Sequence, residues 1–324
     1  MVVHDVITKT PRGSILKKSF KDLDYILPFQ IEPFYLRGRF VTLTNAATTI
    51  LKRHDYPDVV SRLLAEMLIL APCLSSTLKY DGVFTLQISG GNPIKTLVAD
   101  VTSNGALRAY AGFDETSLSK ADNNYGLCQL TRGGYMAFTV DQKKKADRYQ
   151  GIVELSKNTL AESILDYFRT SEQLETVVNL GVEKSSSGNW KGSAIIIQKE
   201  GLTGGRQLPK HLDKDSYEEA WRNAAIMLTS CNKTELLNNT TTPTQLLYQL
   251  FHETGVRIYP KKFLRDQCRC SVKKVERILL SLDNNEINDL KVNGEVHVTC
   301  EFCKTTLSYD EQALAKLLKS NQDA

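Results

Sequence analysis

Four cysteines near the C-terminus constrain the fold more than any other feature of this 324-residue chain. They form two close pairs, Cys268 with Cys270 and Cys300 with Cys303, and 29 residues separate the pairs. Zinc binds four thiolates in a tetrahedral array, and two close pairs that a small fold brings together supply that ligand set. The sequence therefore predicts one structural zinc ion in a small C-terminal domain. A closed four-thiolate site has no open position for water, so zinc hydrolase chemistry is disfavoured.

The first cysteine pair differs from the C-x-x-C pairs of ordinary zinc ribbons. In an extended chain, residues two apart point to the same side, and their Cα atoms lie about 6.6 Å apart. That separation is within the range of roughly 4.4–6.8 Å found for disulfides, so both close pairs are able to form local disulfides once the metal leaves. Basic neighbours favour the reactive thiolate, or partly neutralise a negatively charged zinc centre. They are Arg265, Arg269, Lys273, Lys274 and Lys304.

The composition is that of a soluble globular protein and argues against two classes of partner. The chain is 41% hydrophobic and 24% charged, and its net charge of +4 does not indicate a nucleic-acid binder. No segment reaches the roughly 18 consecutive apolar residues of a membrane span, and residues 1–30 lack the apolar core of a signal peptide. We therefore expect a cytoplasmic protein with reduced thiols. Cys73, Cys128 and Cys231 have no partner nearby and are interpreted as core or incidental residues.

Hydrophobic patterning predicts an α+β fold in four parts. These are an N-terminal extension (1–34), a β-rich α+β core domain (35–205), a helical linker (206–262) and a small zinc-binding domain with a polar tail (263–324). Glycines and Pro209 in 201–209 indicate a hinge where the linker begins.

Helix and strand signals are clearest in the core domain. A helix begins at Asp58, and Pro72 is expected to end or kink it. A second helix carries the capping box Thr159 and Glu162. Alternating patterns predict seven strands. They are 83–88, 94–101, 106–113, 135–140, 149–155, 176–182 and 193–197. In the C-terminal domain, Ser271 is expected to cap a helix over 272–282, and a strand is predicted over 295–299.

Two short helices are predicted in the linker, and neither is stable alone, so both must lean on neighbouring domains. The first begins with a capping box of Ser216 and Glu219, and the second has Thr242 as N-cap and Pro243 at its first position. Their apolar side chains would bind unfolding chains if they became exposed. These candidate client-binding residues are Trp221, Leu228, Leu246, Leu247, Leu250 and Phe251.

Outside the cysteines, the sequence contains no recognisable active site. It has no phosphate-binding loop for ATP, no dinucleotide fingerprint and no nucleophile elbow. His54 precedes a turn and is expected to pack or cap, whereas His297 is expected to be a strand residue and not a zinc ligand. The chain is therefore not expected to be an enzyme.

Several stretches carry a resemblance to one family. The most specific are Cys268-Arg269-Cys270-Ser271 and Val296-His297-Val298-Thr299-Cys300-Glu301-Phe302-Cys303. Others are His54-Asp55-Tyr56-Pro57, Leu78-Lys79-Tyr80-Asp81-Gly82, Leu86-Gln87, Tyr149-Gln150-Gly151-Ile152-Val153, Tyr167-Phe168 and Ser171-Glu172-Gln173-Leu174. From about residue 34 to 318, the chain resembles the redox-regulated bacterial heat-shock chaperones of the thirty-three-kilodalton class.

The resemblance implies an ATP-independent holdase whose reduced, zinc-bound form is monomeric and largely inactive. It implies that oxidation forms the disulfides Cys268–Cys270 and Cys300–Cys303, releases zinc and unfolds the linker. The protein then binds unfolding client proteins and forms a homodimer. The N-terminal extension, Pro72 and Glu175 depart from the family pattern.

Two other functions remain open at this point. The first is a zinc-ribbon module that binds nucleic acid or a partner. The C-x-C pair and the absence of aromatic residues among the basic ones argue against this hypothesis. A thiol–disulfide oxidoreductase would use Cys300 and Cys303. Such a pair normally opens a long helix, whereas residues 304–307 are typical of the return strand of a hairpin.

Overall fold

The chain folds around one long helix, Asp58–Ser75, which lies between two β-sheets and contacts strands of both. This computed structural model describes residues 24–32, 34, 36–122, 125–142, 149–199 and 213–322. The helices are α1 (Asn45–Lys52), α2 (Asp58–Ser75), α3 (Glu115–Leu118), α4 (Leu127–Thr131), α5 (Leu160–Thr170), α6 (Lys214–Ser230), α7 (Lys233–Leu236), α8 (Pro243–Phe251), α9 (Val272–Leu280), α10 (Asn284–Asp289) and α11 (Glu311–Gln322). The predicted hinge at 201–209 lies outside the described residues.

The strands form two six-stranded sheets and one small sheet. They are β1 (Tyr25–Ile31), β2 (Leu36–Leu43), β3 (Gly82–Ser89), β4 (Ile94–Thr102), β5 (Ala106–Phe113), β6 (Tyr135–Gln142), β7 (Tyr149–Glu154), β8 (Thr176–Lys184), β9 (Trp190–Gln198), β10 (Val256–Ile258), β11 (Lys262–Phe263), β12 (Arg265–Asp266), β13 (Lys291–Val292), β14 (Glu295–Thr299) and β15 (Thr306–Tyr309). The seven predicted core strands are all present, as β3 to β9, with ends that differ by no more than three residues. The predicted α+β class is confirmed.

Sheet A has the strand order β10-β1-β2-β9-β8, and β11 also pairs with β1. Sheet B has the order β12-β5-β4-β3-β6-β7, in which only the short β12 pairs in parallel, with β5. Sheet C, in the C-terminal domain, has the order β13-β14-β15. Among the described helices, none combines the length and apolar character needed to cross a membrane.

Pro72 was expected to end or kink the helix that begins at Asp58, and it does not end that helix, because α2 continues to Ser75. A proline this close to the end of a helix costs one main-chain hydrogen bond at its own position. Residues 72–75 are all buried in the core. Packing therefore outweighs the local preference of the proline.

The strand β1 corrects our assignment of residues 1–34 to an extension. Residues 25–31 pair along their whole length with β2, and most of their side chains are buried. These seven residues therefore belong to sheet A. The apolar run is interrupted by Pro28 and Gln30, so strict alternation did not reveal it.

The linker helices lie against sheet A. The N-cap of α6 is Asp213, whose carboxylate accepts a hydrogen bond from the Ser216 amide (2.7 Å), so the predicted cap at Ser216 is wrong by one turn. The predicted cap Thr242 and first-turn Pro243 of α8 are confirmed. The short helix α7 between them was not predicted.

The linker helices share one buried cluster with sheet A. That cluster includes Phe29, Phe40 and Ile197 of the sheet, and the rings of Phe29 and Phe251 stack with centroids 6.1 Å apart. It contains no residue from 263–322 among those described. Our expectation that the helices lean on both neighbouring domains is therefore wrong, since their buried faces rest on the core domain alone.

The C-terminal domain has its own small core, made of five buried residues. They are Leu279, Ile287, Val296, Tyr309 and Leu314. Ser271 caps α9 as predicted, and β14 spans the predicted residues 295–299. The predicted polar tail is largely the helix α11. So few buried side chains indicate a domain that depends on a further source of stability.

A connecting segment, residues 256–267, joins the linker to the C-terminal domain along the core. Within it, β10 and β11 pair with β1, and β12 pairs with β5. The backbone approach is close at Gly105, where φ is +83° and an added Cβ would lie 2.1 Å from the carbonyl oxygen of Phe263. The segment therefore bridges sheets A and B immediately before the first cysteine.

Candidate metal centre

The structure brings the four predicted cysteines together. Cys268 and Cys270 lie between β12 and α9, and Cys300 and Cys303 lie in the turn between β14 and β15. All four Sγ atoms lie within 4.8 Å of one another. The Sγ separation is 3.8 Å for Cys268 and Cys300, and 3.4 Å for Cys270 and Cys303. Zinc–sulfur bonds of about 2.3 Å in a tetrahedron place sulfurs roughly 3.8 Å apart, so this cluster fits a zinc ion.

Local backbone structure holds the second pair in a tight turn. The amide of Lys304 donates to the carbonyl of Cys300 (2.8 Å), and the amide of Cys300 donates to the carbonyl of Thr305 (3.0 Å). Lys304 adopts a left-handed conformation with φ of +55°, which reverses the chain after Cys303. The pair therefore lies in a hairpin turn and not at the start of a helix, as the sequence indicated. This position does not favour an oxidoreductase.

The thiols differ in acidity. Burial alone raises the pKa of Cys303, but hydrogen bonds from the hydroxyl and amide of Thr305, together with Cys270 and Cys300, outweigh burial and lower the pKa to about 6. Burial, followed by hydrogen bonds with Cys303 and Cys268, raises the pKa of Cys270 to about 12.

The other cysteines and the predicted non-ligand histidine lie outside the cluster. Burial raises the pKa of Cys73 to about 12 and that of Cys231 to about 11, so both are unreactive core thiols. Cys128 is half-buried and free. His297 is an exposed residue of β14 whose Nδ1 lies 2.8 Å from the hydroxyl of Ser308, as expected for a strand residue.

One residue between the cysteines of each pair contacts the core domain. Arg269 forms an ion pair with Asp100 of β4, which also pairs with Arg108 of β5. The ring of Phe302 stacks under the Arg108 guanidinium at 3.7 Å and meets the Tyr110 ring edge-on, with centroids 4.7 Å apart. Both cysteine pairs are thus anchored to the same patch of sheet B.

His54 adds a contact from the loop after α1. Its Nε2 lies 3.1 Å from the carbonyl oxygen of Phe302, and its ring stacks on Tyr56 at 4.7 Å. Burial lowers the pKa of His54, and the positive charges of Lys304 and Arg53 lower it further. The neutral ring therefore donates to the Phe302 carbonyl, as the predicted packing role requires.

The candidate client-binding residues are covered in this structure. Five of the six are buried, and Leu250 is half-buried against the same cluster. Sequence reasoning did not identify the exposed apolar side chains on these helices, Ile226, Met227 and Tyr248. It also missed Asp100, Arg108 and Tyr110. An acidic residue in the middle of an apolar strand, as in 97–101, was the one signal that could have revealed this contact.

Comparisons with known proteins agree with this architecture. A family model described as Hsp33 protein matches residues 24–310. A 33 kDa chaperonin of Caulobacter vibrioides is 33% identical over 294 residues, which cover 89% of this chain and 95% of that protein. The 33 kDa chaperonin of Histophilus somni is 30% identical over 298 residues, which cover 91% of this chain and 98% of that protein.

A solved structure supports the fold independently. The crystal structure of the 33 kDa chaperonin (heat shock protein 33 homolog) of Thermotoga maritima is similar, with a TM-score of 0.75 and 21% identity over 93% of this chain and all of that chain. At this identity the likeness shows the fold alone. The family match and the curated relatives cover nearly the whole chain, and those relatives are named chaperonins and not enzymes. This chain therefore belongs to the Hsp33 family of chaperones.

Proposed function

We propose that this chaperone is an ATP-independent holdase whose activity is switched on by oxidation of its four clustered cysteines. Cys268, Cys270, Cys300 and Cys303 would hold one zinc ion in the reduced protein, and the metal would cross-link the two halves of the small C-terminal domain. The observation that carries this proposal is the group of four Sγ atoms within 4.8 Å, directly after a linker whose apolar face is covered.

Oxidation would join Cys268 to Cys270 and Cys300 to Cys303. Each disulfide would form when two thiolates lose two electrons to a peroxide, which takes up two protons from solvent and leaves as two waters, or as water and an alcohol. Thiolate attack on the peroxide begins such reactions. Sulfurs that are bonded to each other no longer serve as thiolate ligands, so the zinc would be released.

Loss of the metal would unfold the C-terminal domain. Structural zinc contributes apparent folding free energy on the order of 10 kcal/mol, and a whole domain is typically stable by only about 5–15 kcal/mol. Five buried residues cannot replace that contribution. The effect would reach the linker through the connecting segment 256–267, because the linker helices rest on the core domain and not on the zinc-binding domain.

Release of the linker would expose the surface that binds clients. Trp221, Leu228, Leu246, Leu247, Leu250 and Phe251 are packed on sheet A, and their exposure would create one continuous apolar surface. Such a surface binds unfolding chains without sequence preference and needs no nucleotide. We propose that the reduced protein is a monomer in the cytoplasm and that the oxidised protein dimerises.

The decisive experiment follows zinc, linker structure and chaperone activity in one sample. Reduced, zinc-loaded protein is treated with hydrogen peroxide at mild heat. We expect release of one zinc per chain, loss of helical circular dichroism and suppression of the aggregation of a denatured client. An oxidised, zinc-free sample that leaves client aggregation unchanged would reject the proposed function.

A further inference from the structure

Each cysteine pair encloses one residue that reaches to the core domain, and both residues meet there. Arg269 stands between Cys268 and Cys270, and its Nη2 lies 2.5 Å from Asp100 Oδ2. Phe302 stands between Cys300 and Cys303, and its ring lies 3.7 Å from the guanidinium carbon of Arg108. The two contacts come from chain segments more than thirty residues apart and converge on one site.

That site is itself firmly held. The Asp100 side chain is only 4% exposed, and it accepts hydrogen bonds from the Thr85 hydroxyl (2.6 Å) and from Arg108 Nε (2.7 Å). Asp100 and Arg108 are paired across the strands β4 and β5. Arg269 and Arg108 thus share one carboxylate, and the Arg108 guanidinium also stacks on the Phe302 ring. We define this docking site as Asp100 with Arg108.

Disulfide formation requires the sulfurs of one pair to move together, whereas docking holds Arg269 and Phe302 in place against the core domain. In the docked state, Sγ atoms of different pairs lie close together, at 3.4 Å for Cys270 and Cys303 and 3.8 Å for Cys268 and Cys300. A local disulfide requires two sulfurs of the same pair to approach to about 2.0 Å. All four Sγ atoms lie within 4.8 Å of one another, so the two sulfurs of a pair must still move closer to form a bond. One residue separates Cys268 from Cys270 and two separate Cys300 from Cys303, so this movement acts on the short segments that carry Arg269 and Phe302.

From this geometry, and resting on the proposed function, we infer that the docking site slows oxidation of the cysteine cluster by holding Arg269 and Phe302 in place. Asp100 and Arg108 are thus positioning residues for the redox step. Undocking precedes closure of either disulfide, and the two thiolates of a pair then lose two electrons to hydrogen peroxide, which takes up two protons from solvent and becomes two water molecules. The strength of docking sets how readily the protein responds to oxidant.

The effect of removing Arg269 distinguishes docking from simple electrostatics. A positive charge beside thiols favours the thiolate, so its loss by itself slows oxidation. Loss of the docking contact accelerates oxidation. The two roles of Arg269 therefore predict rate changes of opposite sign, and the sign can be measured.

The test compares the full-length, zinc-loaded, reduced Arg269→Gln variant with the unaltered protein. Hydrogen peroxide is added in the presence of a chromogenic zinc chelator, and the rate of zinc release is recorded. We expect release about tenfold faster in Arg269→Gln, because a partly buried charge-assisted hydrogen bond is lost. Phe302→Leu, which removes the ring from Arg108, is expected to accelerate release as well. A rate for Arg269→Gln at or below that of the unaltered protein would overturn the inference.

Lys273→Gln is the matched control. Lys273 is an exposed residue at the start of α9, so the substitution removes the same charge near the cysteines without touching the docking site. Its zinc release is expected to be unchanged or slower. Acceleration equal to that of Arg269→Gln would attribute the effect to charge and overturn the inference.

A second readout follows docking itself in the reduced protein. The amide of Gln267, next to Cys268, donates to the carbonyl of Leu107 in β5 at 3.0 Å. We expect faster hydrogen exchange at this amide in Arg269→Gln, and unchanged exchange would contradict the inference. The zinc assay contains no client protein. A failure of holdase activity would therefore show in the oxidised unaltered protein, independently of the variant rates.

Discussion

At the scale of residues, four thiols from two segments of the chain lie within 4.8 Å of one another, beside the buried carboxylate of Asp100. The spacing of Cys268, Cys270, Cys300 and Cys303 was sufficient to predict this cluster, because close thiol pairs are typical of metal and redox sites. Asp100 is buried on a distant strand, and its partners come from three segments of the chain. Nothing in local spacing connects such residues, since only the tertiary fold brings them together.

Replacement of one ligand is expected to remove the metal and unfold the C-terminal domain. Cys303→Ser leaves three thiolates and should reduce bound zinc from one per chain to well below half. The measurement is zinc content after gel filtration, with amide exchange in α9 and α11 as the structural readout. Cys128→Ser, at a half-buried thiol outside the cluster, is the control and should retain its zinc. Full zinc occupancy in Cys303→Ser would contradict the assigned ligand set.

A half-buried carboxyl group on α2 is expected to make stability depend on pH. Burial raises the pKa of Glu66 to about 7, against the opposing charges of Arg62 and Lys233. Because the folded state binds this proton more tightly than the unfolded state, the stabilisation is complete below about pH 4.5 and is lost as the pH rises through 7.

Glu66→Gln should remove that loss. At pH 8 we expect the free energy of unfolding to rise by on the order of 1–3 kcal/mol relative to the unaltered protein. The difference should shrink towards zero at pH 5, and urea unfolding at both pH values measures it. A gain of equal size at both pH values would assign the effect to packing.

At the scale of elements, the strands β3 to β9 and β14 were predicted, whereas β1, β2 and the short strands β10 to β13 were not. Buried and half-buried side chains alternate in β3, and this period of two is visible in the sequence. Six of the described helices were not predicted, because each is short or mainly polar. They are α1, α3, α4, α7, α10 and α11. Local sequence also misplaced one helix start, where two candidate caps stand three residues apart.

The two candidate caps of α6 give a matched pair of variants. Asp213→Ala removes the carboxylate that accepts the Ser216 amide, and the first turn of α6 should exchange its amide hydrogens several-fold faster. Ser216→Ala removes only an exposed hydroxyl contact with Asp213 and should have little effect. Hydrogen exchange over residues 214–220 distinguishes the two. Equal effects would indicate that the Ser216 hydroxyl stabilises the helix start as much as Asp213 does.

At the scale of the whole molecule, the linker is held to the core domain by side chains from several strands. Lys199 at the end of β9 forms ion pairs with Glu218 of α6 (2.6 Å) and with Glu175 (2.8 Å). Asn179 of β8 donates to the carbonyl of Leu228 near the end of α6 (3.1 Å). These contacts and the shared apolar cluster are independent of the cysteines, so the linker has a stability of its own that variants can lower.

Weakening that attachment is expected to activate the reduced protein. Phe251→Ala removes a buried ring that stacks on Phe29 and should destabilise the packed linker by about 3–5 kcal/mol. We expect the reduced, zinc-loaded variant to suppress client aggregation partially while retaining one zinc per chain. Tyr248→Ala, on the exposed face of the same helix, is the control and should stay inactive. If the linker of Phe251→Ala unfolds but the variant has no holdase activity, exposure of the linker does not produce client binding.

The strand β1 has the linker's own chain, through β10 and β11, as its neighbour on one side. If the connecting segment separates from the core, residues 25–31 become the border of sheet A, with unsatisfied main-chain amides and carbonyls along that border. Main-chain groups at such a border pair with any extended polypeptide, whatever its side chains. Departure of the linker would thus turn β1 into an edge strand with free hydrogen-bonding groups, beside the apolar face of the same sheet.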